Sequence, residues 1–90
     1  MWRRTQMSRY DEIVERLKDI NPEAVLLTGL EEALMGVAFS FGKLDVALYD
    51  YQKCVEIFSR TMTTEEAIEY LNFNVLGAHF SEHNPVFFMN

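Results

Sequence analysis

Residues 35–49 read Met35-Gly36-Val37-Ala38-Phe39-Ser40-Phe41-Gly42-Lys43-Leu44-Asp45-Val46-Ala47-Leu48-Tyr49, and the fold turns on how this stretch bends. Hydropathy alternates with a period of two on either side of Gly42-Lys43, the pattern of two strands joined by a tight turn. Glycine at the first of two loop positions suits a type II′ hairpin turn, because that position needs a positive φ. The spacing predicts that Phe41 faces Leu44, Phe39 faces Val46 and Val37 faces Leu48, since cross-strand partners share a face of the sheet. That face is apolar. The opposite one, with Gly36 beside Tyr49, Ala38 beside Ala47 and Ser40 beside Asp45, is thin.

Toward the N-terminus the period changes to that of a helix. Tyr10, Ile13, Val14, Leu17 and Ile20 make one apolar stripe, with Ser8 placed to cap the first turn and Asp11 near the positive end of the dipole. Asn21-Pro22 stops this helix, and a second short helix is predicted over residues 22–27, ended by Thr28-Gly29, with one more turn over 30–34. Toward the C-terminus, Asp50 caps a helix predicted over 51–61, striped by Tyr51, Cys54, Val55, Phe58 and Met62. Thr63-x-x-Glu66 is a capping box, which starts a further helix running to about Leu76, with Gly77 as its stop. Residues 78–80 and 85–89 read as short extended pieces around the polar turn 81–84. The last piece, Val86-Phe87-Phe88-Met89, is apolar on both sides and is expected inside the sheet, because an apolar free edge invites aggregation. The expected fold is α+β: four helices packed on a small antiparallel sheet made of the central hairpin and the C-terminal strand. It comprises one domain over 8–90 and a flexible basic leader over 1–7, for which either Met1 or Met7 serves as the start.

Composition supports a globular reading: of 90 residues, 49% are apolar and 24% charged, with no run long enough to span a bilayer and no apolar stretch behind Arg3-Arg4 to make a secretory signal. One cysteine in a chain this small points to a reducing compartment, so a cytoplasmic location is expected. The net charge of −6 is unevenly spread. Residues 1–20 carry five basic and four acidic side chains, a balance of +1, and residues 21–90 carry three against ten, a balance of −7. Three scattered cations cannot track phosphates, so direct binding to nucleic acid is not expected, whereas a protein partner with a basic surface is electrostatically allowed. The plainer reading is that the acidity only keeps the chain dispersed.

Few residues invite chemistry. His79 and His83, with Glu82 between them, are zinc-ligand types, but that spacing converges only on a helix, and Gly77 and Asn84-Pro85 argue for a turn. Cys54 falls on an apolar stripe and reads as a core thiol rather than a nucleophile. Phosphate loops, serine elbows and paired-cysteine ligand sets are missing from the sequence, so a non-enzymatic protein without cofactor is expected. Asn74 lies at helical spacing on an apolar stripe with Ala67, Tyr70, Leu71 and Val75, which suggests an amide fastening a neighbouring backbone. The aromatic supply, including Trp2, Tyr70, Phe73, Phe87 and Phe88, exceeds what so small a core hides. A homodimer or a partner-binding patch follows, with Phe87 and Phe88 standing either at that interface or in the core.

The segments Ala47-x-Tyr49-Asp50-Tyr51-x-Lys53-Cys54, Met62-Thr63-x-Glu65-Glu66-Ala67-x-Glu69-Tyr70, Phe73-Asn74-Val75-x-Gly77-Ala78 and Pro85-Val86-Phe87 together resemble a small uncharacterised protein family of phages and prophage-bearing bacterial genomes. The resemblance spans about residues 8–88 and departs at His79, Phe80 and the basic leader. It implies a viral or mobile-element context and nothing about catalysis. Three functions are therefore carried forward. The first is an acidic, non-enzymatic interaction module acting on a host or phage protein in the host cytoplasm. The second is an inhibitor of a host defence complex, whose Glu65, Glu66 and Glu69 mimic nucleic acid. The third is a metal-dependent hydrolase built on His79 and His83.

Overall fold

The computed structural model describes residues 8–76 and 81–89. The leader, the stop at Gly77 and the extended piece at 78–80 lie outside the described residues. Helix α1 spans Arg9–Ile20; the Ser8 side chain accepts from the Asp11 amide at 3.1 Å, and Asp11 and Glu12 occupy the first turn. A 3-10 turn over Glu31–Ala33 leads into β1, Leu34–Ala38, which pairs with β2, Val46–Asp50. Asp50 then caps α2, Tyr51–Phe58, and Thr63 caps α3, Thr64–Tyr70, which continues as a π-helix over Leu71–Leu76. Strand β3, Val86–Phe88, completes a three-stranded sheet of order β1-β2-β3.

The class is α+β, but the sheet is mixed rather than antiparallel: β1 and β2 are antiparallel, whereas β2 and β3 run parallel. Parallel strands cannot be joined by a tight turn, and here residues 51–85 make the crossover, which carries α2, α3 and the π-helix. A strand that returns over helices arrives in the direction of the strand it left. Among the described residues β3 is an edge strand, not the interior strand expected from its apolar sequence.

The hairpin also differs. Ala38 pairs with Val46, Val37 with Ala47 and Gly36 with Leu48, one residue out of the expected register, and a bulge between Leu34 and Gly36 brings Leu34 opposite Tyr49. Phe39 and Val46 are therefore not partners. Because the side-chain period is two, that single step exchanges the faces of β2, so that Ala47 and Tyr49 become fully buried beside Val37, which keeps its inward side; Phe39 and Phe41 lie beyond the end of β1 and stand 75% and 96% exposed. The turn itself is moved. The Lys43 amide donates to the Ser40 carbonyl at 3.0 Å, and Gly42, with φ +80°, is its third residue, the position where a type II turn needs positive φ.

Three α-helices are present among the described residues, not four, because residues 22–27 do not form one. Two of their amides are taken by distant partners: Val25 donates to the His83 carbonyl at 3.1 Å and Leu27 to the Tyr49 hydroxyl at 2.8 Å. An amide engaged this way has no proton left for a helical bond. The strap so formed places Ala24 and Leu30 in the core with Leu17, Leu34, Ala47, Tyr49, Cys54 and Leu71. Phe87 stacks on Tyr49 with ring centroids 5.9 Å apart.

Tyr49→Phe keeps the ring and removes the acceptor for Leu27. A loss of about 1–3 kcal/mol is expected, read by chemical denaturation, with Tm falling by roughly 4–8 °C per kcal/mol in a domain of this size.

Candidate functional site

The surface that gathers most of the distinctive chemistry is the outer side of α3 and its π-helix continuation. Thr63 and Glu66 form the capping box foreseen from the sequence: the Thr63 hydroxyl accepts from the Glu66 amide at 3.1 Å, and the Glu66 carboxylate accepts from the Thr63 amide at 3.0 Å. Ala67 and Leu71, both fully buried, fasten the helix to the core, and Tyr70 meets Phe58 of α2 edge-on at 5.0 Å. The opposite side is left to solvent. Glu65, Glu66 and Glu69 are all exposed, as are Ile68, Tyr70 and Phe73, the last at 77%. Glu66, Glu69, Tyr70, Phe73 and Asn74 line one open groove of about 530 Å³, and Glu65 and Ile68 adjoin a second with Thr63. Carboxylates and aromatic rings at spacings of three and four are thus presented together, a combination that can meet a cationic side chain with both charge and ring face.

The other residues singled out from the sequence are dispersed. Phe87 is drawn into the core, whereas Phe88, next to it and on the other face of the sheet, is exposed. Asn74 is exposed, so the expected buried amide is not there. A π-helix closes through i→i+5 bonds and fits more residues into each turn, so the three-residue step from Leu71 falls short of the buried side. The buried fastening amide is Asn21, 5% exposed, whose Nδ2 donates to the Asp45 carbonyl at 2.9 Å and whose Oδ1 accepts from the Glu23 amide at 3.3 Å. It ties the end of α1 to the chain just before β2. The sequence signal was its position between a helix end and a proline.

His79 lies outside the described residues, which leaves the histidine pair without a geometry. His83 is largely covered, with Nε2 3.7 Å from a Glu23 carboxylate oxygen. Among the described residues no group of three His, Cys, Asp or Glu side chains could hold a metal ion. Cys54 is fully buried, and burial, reinforced by Asp50, pushes its thiol up to about 12. On α2, Lys53 reaches Glu56 at 2.9 Å; this contact lowers the Glu56 carboxyl and raises the Lys53 ammonium from their usual ranges, with little effect on stability for an exposed pair. No helix among the described residues is long and apolar enough to cross a membrane. Comparison of the chain with protein-family models, with curated proteins and with solved structures returns no match.

Two outcomes follow. Asn21→Ala leaves the Asp45 carbonyl and Glu23 amide without their partner and is expected to cost about 1–3 kcal/mol by denaturation, whereas Asn74→Ala changes stability by no more than about 0.5 kcal/mol. Cys54 is expected to resist a disulfide-exchange reagent at pH 7 in the native protein and to react at least about a hundredfold faster once denaturant exposes it.

Proposed function

We propose that this chain is a small non-enzymatic interaction protein of the phage or mobile-element type, which engages a host or phage protein in the host cytoplasm through the exposed side of α3 and the π-helix. The observation that carries this reading is the shared groove of Glu66, Glu69, Tyr70 and Phe73 on a helix whose other side is firmly anchored. A preorganised backbone with projecting aromatic rings loses little freedom on binding, which favours association. Interface centres are enriched in Tyr and Phe, and acidic side chains at the margin select a basic partner and accelerate its approach. The phage setting rests on the sequence resemblance.

A second reading makes the carboxylates primary: Glu65, Glu66 and Glu69 occupy a basic nucleic-acid groove of a host defence complex. Their common exposure on consecutive turns favours it. The two readings differ in what holds the partner. Ring burial is insensitive to salt, and charge pairing across an open surface is screened with a Debye length near 10 Å at about 0.1 M salt.

The test is capture of proteins from host lysate by the immobilised full chain, by Phe73→Ser and by the double variant Glu65→Lys/Glu69→Lys, each confirmed to melt as the parent does. Under the first reading Phe73→Ser lowers retention of the specific partner at least about tenfold, and washing at about 0.5 M salt does not elute it. Under the second the charge reversal abolishes retention and the same salt wash strips the parent complex. Equal capture by all three chains overturns both.

A further inference from the structure

Helix α1 runs alongside β1 in the same direction. At one end the Arg9 Nη2 donates to the Met35 carbonyl at 3.1 Å, and at the other the Asn21 amide holds the carbonyl of Asp45, the residue before Val46, which pairs with Ala38. Between the two elements lies an open groove of about 740 Å³. Met35, Gly36 and Val37 all border it, and three consecutive residues of a strand meet one groove along the backbone edge, because their side chains alternate between faces. That edge has no neighbouring strand among the described residues, since β1 is outermost in the order β1-β2-β3. The end of the groove away from Arg9 is apolar and uncovered: Ile20 and Phe39 line it and stand 54% and 75% exposed. Along the walls the carboxylates of Glu12, Glu15, Asp19 and Asp45 outnumber the guanidiniums of Arg9 and Arg16, a balance of −2.

We propose that this groove is the docking site of the chain's own leader, residues 1–7, which folds back along the free edge of β1 and seats Trp2 against Ile20 and Phe39. The leader joins the domain at Ser8, next to Arg9 at the groove's near end, so its effective concentration there is on the order of millimolar, an advantage no free segment has. Its length fits. With one residue given to the reversal, an extended chain advancing about 3.3 Å per residue brings Arg4, Arg3 and Trp2 about 10, 13 and 17 Å along the groove. The helix beside it rises about 1.5 Å per residue and carries Glu15, Asp19 and Ile20 about 11, 17 and 18 Å from Ser8. The two cations therefore arrive between Glu15 and Asp19, and the indole arrives at the apolar end. Arg3 and Arg4, with no acid in the leader, supply the +2 that the walls lack. Docking also covers an open strand edge beside apolar side chains, which otherwise templates aggregation. The groove shares no lining residue with the α3 surface, so each reading can fail without the other.

Trp2 is the chain's only tryptophan, so its fluorescence reports on the leader alone. In the native full chain its emission is expected to be blue-shifted from that in denaturant, with acrylamide quenching at least about threefold weaker. Phe39→Ser and Glu15→Lys/Asp19→Lys each return emission and quenching toward the denatured values while the far-ultraviolet circular dichroism stays that of the parent. Arg3→Glu/Arg4→Glu does the same, and combining it with Glu15→Lys/Asp19→Lys restores the blue shift. A Trp2 as open to quencher in the native chain as in denaturant overturns the proposal. So does a blue shift that these variants leave unchanged, one that Phe73→Ser removes, which places the indole on α3, or one that grows with protein concentration, which places it on a second copy.

Discussion

Tyr49 sits at the centre of the middle strand with no surface left to water, its ring stacked on Phe87 and its hydroxyl accepting the amide of Leu27. A phenol can be buried so deeply only if its oxygen finds a partner, and the partner here belongs to a segment 22 residues away in sequence. Burial pushes the phenol above its ordinary range, so the group stays neutral and keeps its bond under all ordinary conditions. Satisfying that oxygen draws the strap before the 3-10 turn across the sheet and deprives residues 22–27 of helical bonding. It also requires the odd-numbered side of β2 to face inward, and the remaining arrangement follows from that orientation. Val37 and Phe87 join Tyr49 under the helices, and Val46, Leu48, Val86 and Phe88 are turned outward.

Local chemistry was the legible part of the sequence. Ser8, Asp50 and Thr63 each cap the helix they were expected to cap, because a side-chain acceptor three residues ahead of a free amide acts within one turn and depends on nothing distant. The register of the hairpin was misread for the opposite reason. Val37, Phe39, Phe41, Leu44, Val46 and Leu48 offer a better apolar face than Ala47 and Tyr49, and residue types alone favour hiding them. The bond from Leu27 to Tyr49 is tertiary, and no pattern within residues 35–49 announces it. The parallel sense of β3 was hidden likewise, since strand direction is set by the route of the intervening chain and not by Val-Phe-Phe.

The interaction surface was half legible. Glu65, Glu66 and Glu69 were visible as exposed acids because a capping box fixes the phase of the first turns of α3. Beyond Leu71 the phase drifts as the helix widens, which carried Asn74 out to solvent beside Phe73 and left the buried-amide role to Asn21. A π-helix is recorded in its hydrogen bonds and has no compositional mark of its own, so periodicity at 3.6 loses the thread where it begins.

The parallel pairing of β2 with β3 also sets the two halves of the sheet apart in loop-closure cost. Strands β1 and β2 lie seven residues apart, whereas 35 residues, carrying α2, α3 and the π-helix, separate β2 from β3, so the second pairing closes the longer loop. It is that longer closure which brings Phe87 onto the ring of Tyr49. The final strand is therefore the latch of the sheet: it covers the side of the central strand that the hairpin leaves open.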